Sequence, residues 1–344
     1  MIRLVIENKI PFIKGLLDDI CDVKYLDPED ITADAMRHAD ALITRTRTRC
    51  DQSLLQHSPC RFIATATIGT DHIDLEYCRN NGITVANAPG CNAPAVAQYT
   101  LASIAHWLDL NHRPISTVTI GIVGVGNVGS IVNRWARQLG MKVMLCDPPR
   151  ADKEGDNTFV TLDEIARHCD IITFHTPHTT SGTYATHHMC DSRFLNLTQH
   201  KPLIINCARG PIVDTQALIS ALDAKIVSDA VIDCWEGEPN ISIQLLDRAL
   251  IATPHIAGYS REGKIRATDM VLSAFAQHFT LPEVHTAETV AHGAAETVTL
   301  DSITASYNPL NDTAALKDAP HTFESLRNNY NYRNEVKYPR PLTS

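Results

Sequence analysis

The sequence predicts an α/β protein centred on a doubly wound parallel sheet, and three observations carry that expectation. Short apolar runs alternate with helical patterns along most of the 344 residues. One such run, Thr119 to Val123, opens directly into Gly124-x-Gly126-x-x-Gly129, which reads as strand, phosphate turn and helix. A further run, Lys142 to Cys146, ends in Asp147, where an acidic side chain can accept hydrogen bonds from an adenosine ribose.

Each residue of the turn has a physical task. Gly124 permits the tight turn, Gly126 lets backbone N–H groups approach a pyrophosphate, and Gly129 allows close helix packing. The helix starting near Asn127 and Val128 aims its positive end at the phosphates. These residues predict a dinucleotide, and Asp147 selects NAD over NADP because it repels a 2′-phosphate.

Taken in order, the first third holds apolar runs at Leu4 to Ile6, Val23 to Tyr25, Ala41 to Thr44, Phe62 to Ala66 and Thr84 to Ala86, the pattern of a small parallel α/β domain. After the turn-forming Pro89-Gly90 comes an amphipathic helix from Ala93 to about Leu110. Runs at Ile120 to Val123, Val143 to Cys146, Ile171 to Phe174, Leu203 to Asn206, Ser228 to Asp233 and Leu250 to Ala252 then supply a full dinucleotide-binding sheet. A helix over about Arg261 to Phe279 precedes a change of character. Beyond Pro282 the chain is rich in Thr, Ala, His and Asn, with one expected strand, Thr297 to Leu300, and helical stretches near Ala314 and from Phe323 to Asn331. Tyr338 to Ser344 reads as unstructured.

Composition narrows the function. Hydrophobic residues make up 44% and charged residues 20%, ordinary for a globular protein, and a net charge of −9 argues against a nucleic-acid or membrane surface. Met1 to Glu7 turns polar too soon for a signal peptide, and ten scattered cysteines without a Cys-x-x-Cys pair suit a reducing compartment, so a cytoplasmic location is expected. His175, His178, His187, His188 and Cys190 match no zinc spacing, so no metal is expected and the histidines read as solvated loop residues.

Three side chains fall just beyond later strand ends: Arg209 in Asn206 to Gly210, Glu238 in Asp233 to Pro239, and His255 in Thr253 to Gly258. Ligands of doubly wound sheets bind outside these carboxyl ends, beside the Gly124 turn. Moving a hydride from a hydroxyl-bearing carbon to nicotinamide needs a base, and histidine is tuned near neutral pH. A carboxylate on that histidine fixes its tautomer, and a guanidinium offers a planar fork to a substrate carboxylate.

Gly124 to Gly129, Asn206 to Gly210, Asp233 to Pro239 and Pro254 to Gly258 together resemble the D-isomer-specific 2-hydroxyacid dehydrogenases over residues 1 to about 280. Thr65 to His72, Ala88 to Ala93, Cys146 to Arg150, Phe174 to Pro177 and His255 to Tyr259 are more specific, and resemble a branch acting on a small phosphorylated 2-hydroxy acid. Phe323 to Tyr330, with Arg333 and Glu335, is similar to that branch's C-terminal dimerisation domain, here shortened.

The resemblance implies Arg209 as the substrate-orienting residue, Glu238 as the partner of the histidine and His255 as the acid/base. It places Thr46, Thr67 and Tyr259 at the substrate and Asp147, Thr176, Asp233 and Gly258 at the cofactor. It implies a flavodoxin-like lid of residues 1–94 joined by the helix at 260–281, an NAD-binding domain at 95–259, a dimerisation extension at 282–344 and a homodimer. The lid would close over the cofactor domain and exclude water.

A phosphorylated substrate needs a cation, and Arg45 is the best candidate of the Arg45-Thr46-Arg47-Thr48-Arg49 run. If extended, that run puts its arginines on one face and its threonines on the other. Rival functions are another D-2-hydroxyacid dehydrogenase, acting on glycerate or 3-phosphoglycerate, and a non-catalytic NAD(H)-sensing binding protein.

Overall fold

The computed structural model describes residues 1–155, 158–288, 290 and 293–336. The chain forms two compact units, Met1–Asn92 with Arg261–His292, and Ala93–Ser260 with Gly293–Ser344. The expected unstructured stretch from Tyr338 lies outside the described residues.

In the first unit, five parallel strands, β1 (Ile2–Glu7), β2 (Cys21–Leu26), β3 (Ala41–Thr44), β4 (Phe62–Thr65) and β5 (Thr84–Ala86), stand in the order β2-β1-β3-β4-β5. That is the flavodoxin-like order. Side-chain alternation fills both faces of this sheet. Leu4, Ile6, Ala41, Ile43, Phe62 and Ala64 pack with Val271, Leu272 and Phe275 of the helix Arg261–Phe279. Val5, Leu42 and Ile63 enter the opposite core with Met36, Leu54 and Leu55.

In the second unit, β6 (Thr119–Val123), β7 (Lys142–Cys146), β8 (Ile171–Phe174), β9 (Leu203–Asn206), β10 (Asp229–Ile232) and β11 (Ile251–Ala252) stand in the order β11-β10-β9-β8-β6-β7. A parallel bridge from Leu145 to Phe159, with Val160 N–H donating to Leu145 O at 2.8 Å, extends the sheet past β7. With that rudimentary strand the arrangement is the dinucleotide-binding one, whose order reverses between β6 and β8. One bridged residue is too short a signal to stand out in a sequence.

The described tail, from Gly293, belongs by its contacts to this second unit. Ala295 O accepts from Trp135 Nε1 at 2.8 Å, and Tyr307, Leu316 and Phe323 are buried. Thr313 Oγ1, on the helix Pro309–Asp318, accepts from Ala252 N at 3.1 Å and so covers the open edge of β11. The helices Pro309–Asp318 and Phe323–Asn328 match expectation, but the strand expected over Thr297 to Leu300 is absent. Thr299 instead caps a helix, Leu300–Ser306: its Oγ1 accepts from Ser302 N, while Ser302 Oγ accepts from Thr299 N. Local capping outweighed the β-branched composition of that stretch.

Candidate active site

The nucleotide turn sits where the sheet order reverses. Gly124 takes φ +87°, and a Cβ there would come within 2.8 Å of the His175 carbonyl carbon and of Thr176 Cγ2. A Cβ on Gly129 would lie 2.1 Å from Gly124 O, so this helix can approach the turn only as glycine. Over Gly126, nothing lies within 4 Å of the corresponding point. Gly126 N-caps the helix Asn127–Gln138 without a side-chain hydrogen bond, which leaves the leading N–H groups of Asn127, Val128 and Gly129 to a ligand. This cradle fits a pyrophosphate.

Asp147 has a second task. Its Oδ2 accepts from Val125 N at 2.8 Å and its Oδ1 from Arg150 N at 3.2 Å, tying the glycine turn to the end of β7. Thr176 Oγ1 lies 3.8 Å from Met189 Sδ, in the loop facing Gly124. His175 departs from the solvated state expected of the loop histidines. Its N–H donates to Val123 O at 2.7 Å, its Nε2 lies 3.0 Å from Thr173 Oγ1, and burial pushes its imidazole down to about 3. It follows directly on the apolar β8, which leaves the residue half-buried. His178 and His187 are paired at 3.1 Å, and His188 lies 2.6 Å from Glu236 Oε1. Cys190 is buried.

Strand ends β9, β10 and β11 deliver the three expected chemical groups. Asn206, 1% exposed at the end of β9, donates from Nδ2 to Arg209 O at 2.9 Å and to Cys234 O at 3.2 Å. It thereby ties the Arg209 loop to the one leading to Glu238. Gly210 permits their contact, since a Cβ there would lie 1.9 Å from Trp235 O. Arg209 Nη1 donates to Ala208 O at 2.8 Å.

Glu238 Oε2 and His255 Nδ1 are 2.8 Å apart, and Glu238 Oε1 accepts from Trp235 N at 2.8 Å. The two side chains are 19% and 26% exposed, enough to reach a ligand while remaining fixed. Burial alone would raise the Glu238 pKa. The hydrogen bond and charge of His255, the Trp235 N–H and the charge of Arg327 outweigh burial and hold it below the ordinary carboxyl value. An ionised carboxylate only accepts, so the imidazole proton sits on Nδ1 and Nε2 is the open base position.

His255 occupies φ +57°, a left-handed backbone that a histidine adopts only under constraint. Its N–H donates to Asp233 O at 2.9 Å. The Asp233 carboxylate accepts from Ile256 N at 2.7 Å, Ala257 N at 3.0 Å and Thr253 Oγ1 at 2.7 Å. Asp233 is 1% exposed, and burial pushes its pKa up against these bonds. Expected at the cofactor, it holds the His255 turn from beneath.

The tail adds two residues that motif reasoning left without a role. Arg333, half-buried, donates from Nη1 to Ile256 O at 3.0 Å and Tyr259 O at 3.3 Å, from Nε to Gln98 Oε1 at 3.1 Å, and from Nη2 to Ala95 O at 3.1 Å and to Ala257 O. It fastens both sides of Gly258. Ser260 Oγ donates to Glu335 Oε1 at 2.7 Å. Arg327 Nε donates to the Tyr259 hydroxyl at 3.3 Å, and its Nη1 is 3.8 Å from Glu238 Oε2. Both arginines lie within or near the Phe323 motif, but a motif does not say what its residues touch.

In the first unit, Arg45 and Thr46 follow β3, and Thr67 follows β4. Buried Glu7 organises the first of these loops, its Oε2 accepting from Arg45 N at 2.8 Å and Thr44 Oγ1 at 3.0 Å. Arg45 Nη1 donates to Lys9 O at 3.0 Å. Residues 45–49 bend rather than extend, so alternation of faces does not describe them. Arg49 pairs with Asp51 at 2.9 Å. Thr67 Oγ1 lies 2.8 Å from Thr65 Oγ1 and donates to Gly69 O at 3.1 Å.

Among the described residues, Cys234, Glu238 and His255 bring three possible metal-ligating atoms within 4.8 Å of one another. Burial raises the Cys234 thiol well above its ordinary pKa, and the other two atoms are already paired. The trio is therefore a dyad beside a core thiol.

A sequence model of the D-isomer specific 2-hydroxyacid dehydrogenase NAD binding domain matches residues 97–257. An erythronate-4-phosphate dehydrogenase of Bacteroides thetaiotaomicron is 46% identical, covering 97% of this chain and 97% of its own. The chain belongs to the erythronate-4-phosphate dehydrogenase family. Relatives of that name from Porphyromonas gingivalis and Salmonella arizonae are 40% and 36% identical over 97% of this chain and 94% and 92% of theirs. Among solved structures, a D-lactate dehydrogenase from Aquifex aeolicus, complexed with NAD and lactic acid, has TM-score 0.67 and 26% identity, covering 81% of this chain and 95% of its own. A formate dehydrogenase from Staphylococcus aureus in complex with NAD shares the fold, with TM-score 0.63 and 22% identity over 85% of this chain and 100% of its own. The second unit is thus an NAD-binding domain of an NAD-dependent dehydrogenase.

Proposed function

We propose that the protein oxidises 4-phospho-D-erythronate at C2 to (R)-3-hydroxy-2-oxo-4-phosphooxybutanoate, a step of pyridoxal 5′-phosphate (vitamin B6) biosynthesis, as a cytoplasmic homodimer. The observation carrying the reaction is the 2.8 Å His255–Glu238 pair beyond the ends of β11 and β10, with β10 next to β9, the strand that Arg209 follows. The 46% identity to erythronate-4-phosphate dehydrogenases supports the substrate. Among the described residues no helix is long and apolar enough to cross a membrane.

His255 Nε2 takes the C2 hydroxyl proton, and Glu238 across the ring stabilises the imidazolium as it forms. Arg209 engages the substrate carboxylate and the developing carbonyl oxygen. Gly124, Gly126 and Gly129, with the N–H groups of Asn127 and Val128, hold the pyrophosphate. Asp147 would hold the ribose and Thr176 and Gly258 would line the cofactor side, with Asp233 acting there through the His255–Gly258 turn that its carboxylate fixes. Bound NAD supplies the hydride acceptor. Thr46, Thr67 and Tyr259 are assigned to the substrate, with Arg45 as a phosphate candidate.

Steady-state assays of NADH formation with 4-phosphoerythronate, glycerate and 3-phosphoglycerate test the substrate, and equal kcat/KM values would exclude it. NADH binding with no turnover of any 2-hydroxy acid would favour the sensing role. His255→Ala should lose about 10²–10⁴-fold in kcat, the ordinary contribution of a positioned base. A few-fold loss would remove His255 from that role.

A further inference from the structure

Arg327 is a partly enclosed cation whose donors are under-used. It lies on the helix Phe323–Asn328 with its side chain 21% exposed. Its Nε donates to Tyr259 Oη at 3.3 Å, while its Nη1 is 3.8 Å from both Glu238 Oε2 and Glu324 Oε1. Both carboxylate separations exceed hydrogen-bond length. A guanidinium presents five N–H donors in one plane. Among the described residues, this one is met by a single phenol oxygen and two carboxylates beyond reach. Neither carboxylate is placed to fill the fork. Glu238 gives its two oxygens to His255 and to Trp235 N, and the Glu324 side chain is 46% exposed. A half-buried guanidinium left in this state has N–H donors to offer an anion.

We propose that Arg327, together with Tyr259, forms the subsite for the phosphate of the substrate. The inference rests on the substrate reading above and assigns the distal end of that molecule. The phosphate is carried on C4, two bonds from C2, so its receptor belongs to the same site as the group that His255 deprotonates. Arg327 reaches this region through Tyr259, whose hydroxyl accepts from its Nε at 3.3 Å and which follows His255 by four residues. A planar fork reaching a phosphate with direct N–H···O bonds replaces weak contacts to carboxylates at 3.8 Å.

The test compares 4-phosphoerythronate with unphosphorylated erythronate in the wild-type protein, Arg327→Leu and Arg327→Lys, with NADH fluorescence titration to show that each variant is folded. Expected is a loss of about 100-fold in the preference for the phosphorylated substrate in Arg327→Leu, expressed mainly in KM, with part recovered in Arg327→Lys. If kcat/KM falls equally for both substrates, Arg327 serves Glu238 instead and the proposal is overturned. If neither falls, the phosphate is held elsewhere and it is also overturned. Should Arg327→Leu not bind NADH, Arg327→Lys and Arg327→Gln decide by the same ratio. A wild-type protein with no preference for the phosphorylated substrate would refute the substrate reading itself, a different outcome from any of these.

Discussion

Replacing Gly210 by alanine adds one methyl group at the point where the Arg209 loop meets the loop carrying Glu238. The added Cβ would lie 1.9 Å from Trp235 O, 2.1 Å from Trp235 C and 2.6 Å from Glu236 N. All three are backbone atoms, so no side-chain rotation relieves the contact. Reaching even the shortest tolerated separation of about 3 Å requires the loops to part by about 1 Å. Arg209 moves with one loop and Glu238 with the other, because Glu238 Oε1 is held by Trp235 N at 2.8 Å. A displacement of that size costs about 10²-fold in rate, and overpacking costs about 1–3 kcal/mol of stability. The assay is kcat/KM for 4-phosphoerythronate, with NADH affinity as control, since the Gly124 turn is built on other strands. The expected result is a loss near 100-fold with NADH affinity within about threefold of wild type. Activity within threefold of wild type would refute the claim that this contact sets the spacing of Arg209 and Glu238.

Arg333→Leu removes the donors to Gln98, Ala95, Ile256, Ala257 and Tyr259, and should cost about 1–3 kcal/mol in urea unfolding together with much of kcat. Unimpaired activity at wild-type stability would show that the tail does not hold the His255 turn. His175 is neutral in the folded protein, depressed from 6.5 to about 3, so the unfolded chain takes up a proton first as pH falls. Its contribution is full above about pH 6.5 and drains by up to about 1.4 kcal/mol per pH unit towards pH 3. His175→Gln should flatten that slope in urea titrations between those limits, and an unchanged slope would contradict it. Asp147→Ala should raise KM for NAD about tenfold and narrow the preference over NADP, since it removes both the ribose acceptor and the carboxylate on Val125 N. Unaltered cofactor selectivity in that variant would assign discrimination to other residues.

The sequence by itself determined the strand framework, the nucleotide turn and the positions of Arg209, Glu238 and His255. Those signals are local: apolar runs fix strands, glycine spacing fixes a turn, and strand ends project the residues that follow them. The Thr299 cap was local too, but was masked by a composition that resembles a strand. Only the tertiary structure decided what holds the His255 turn. The left-handed His255 persists because Asp233 and Arg333, remote from it in sequence, satisfy the N–H and carbonyl groups around it. It likewise decided that His175 is half-buried beside Thr173, that Glu7 organises the Arg45 loop and that Arg327 stands beside Glu238. A sequence lists donors and acceptors in order along the chain, whereas their pairing depends on which distant segments packing brings together.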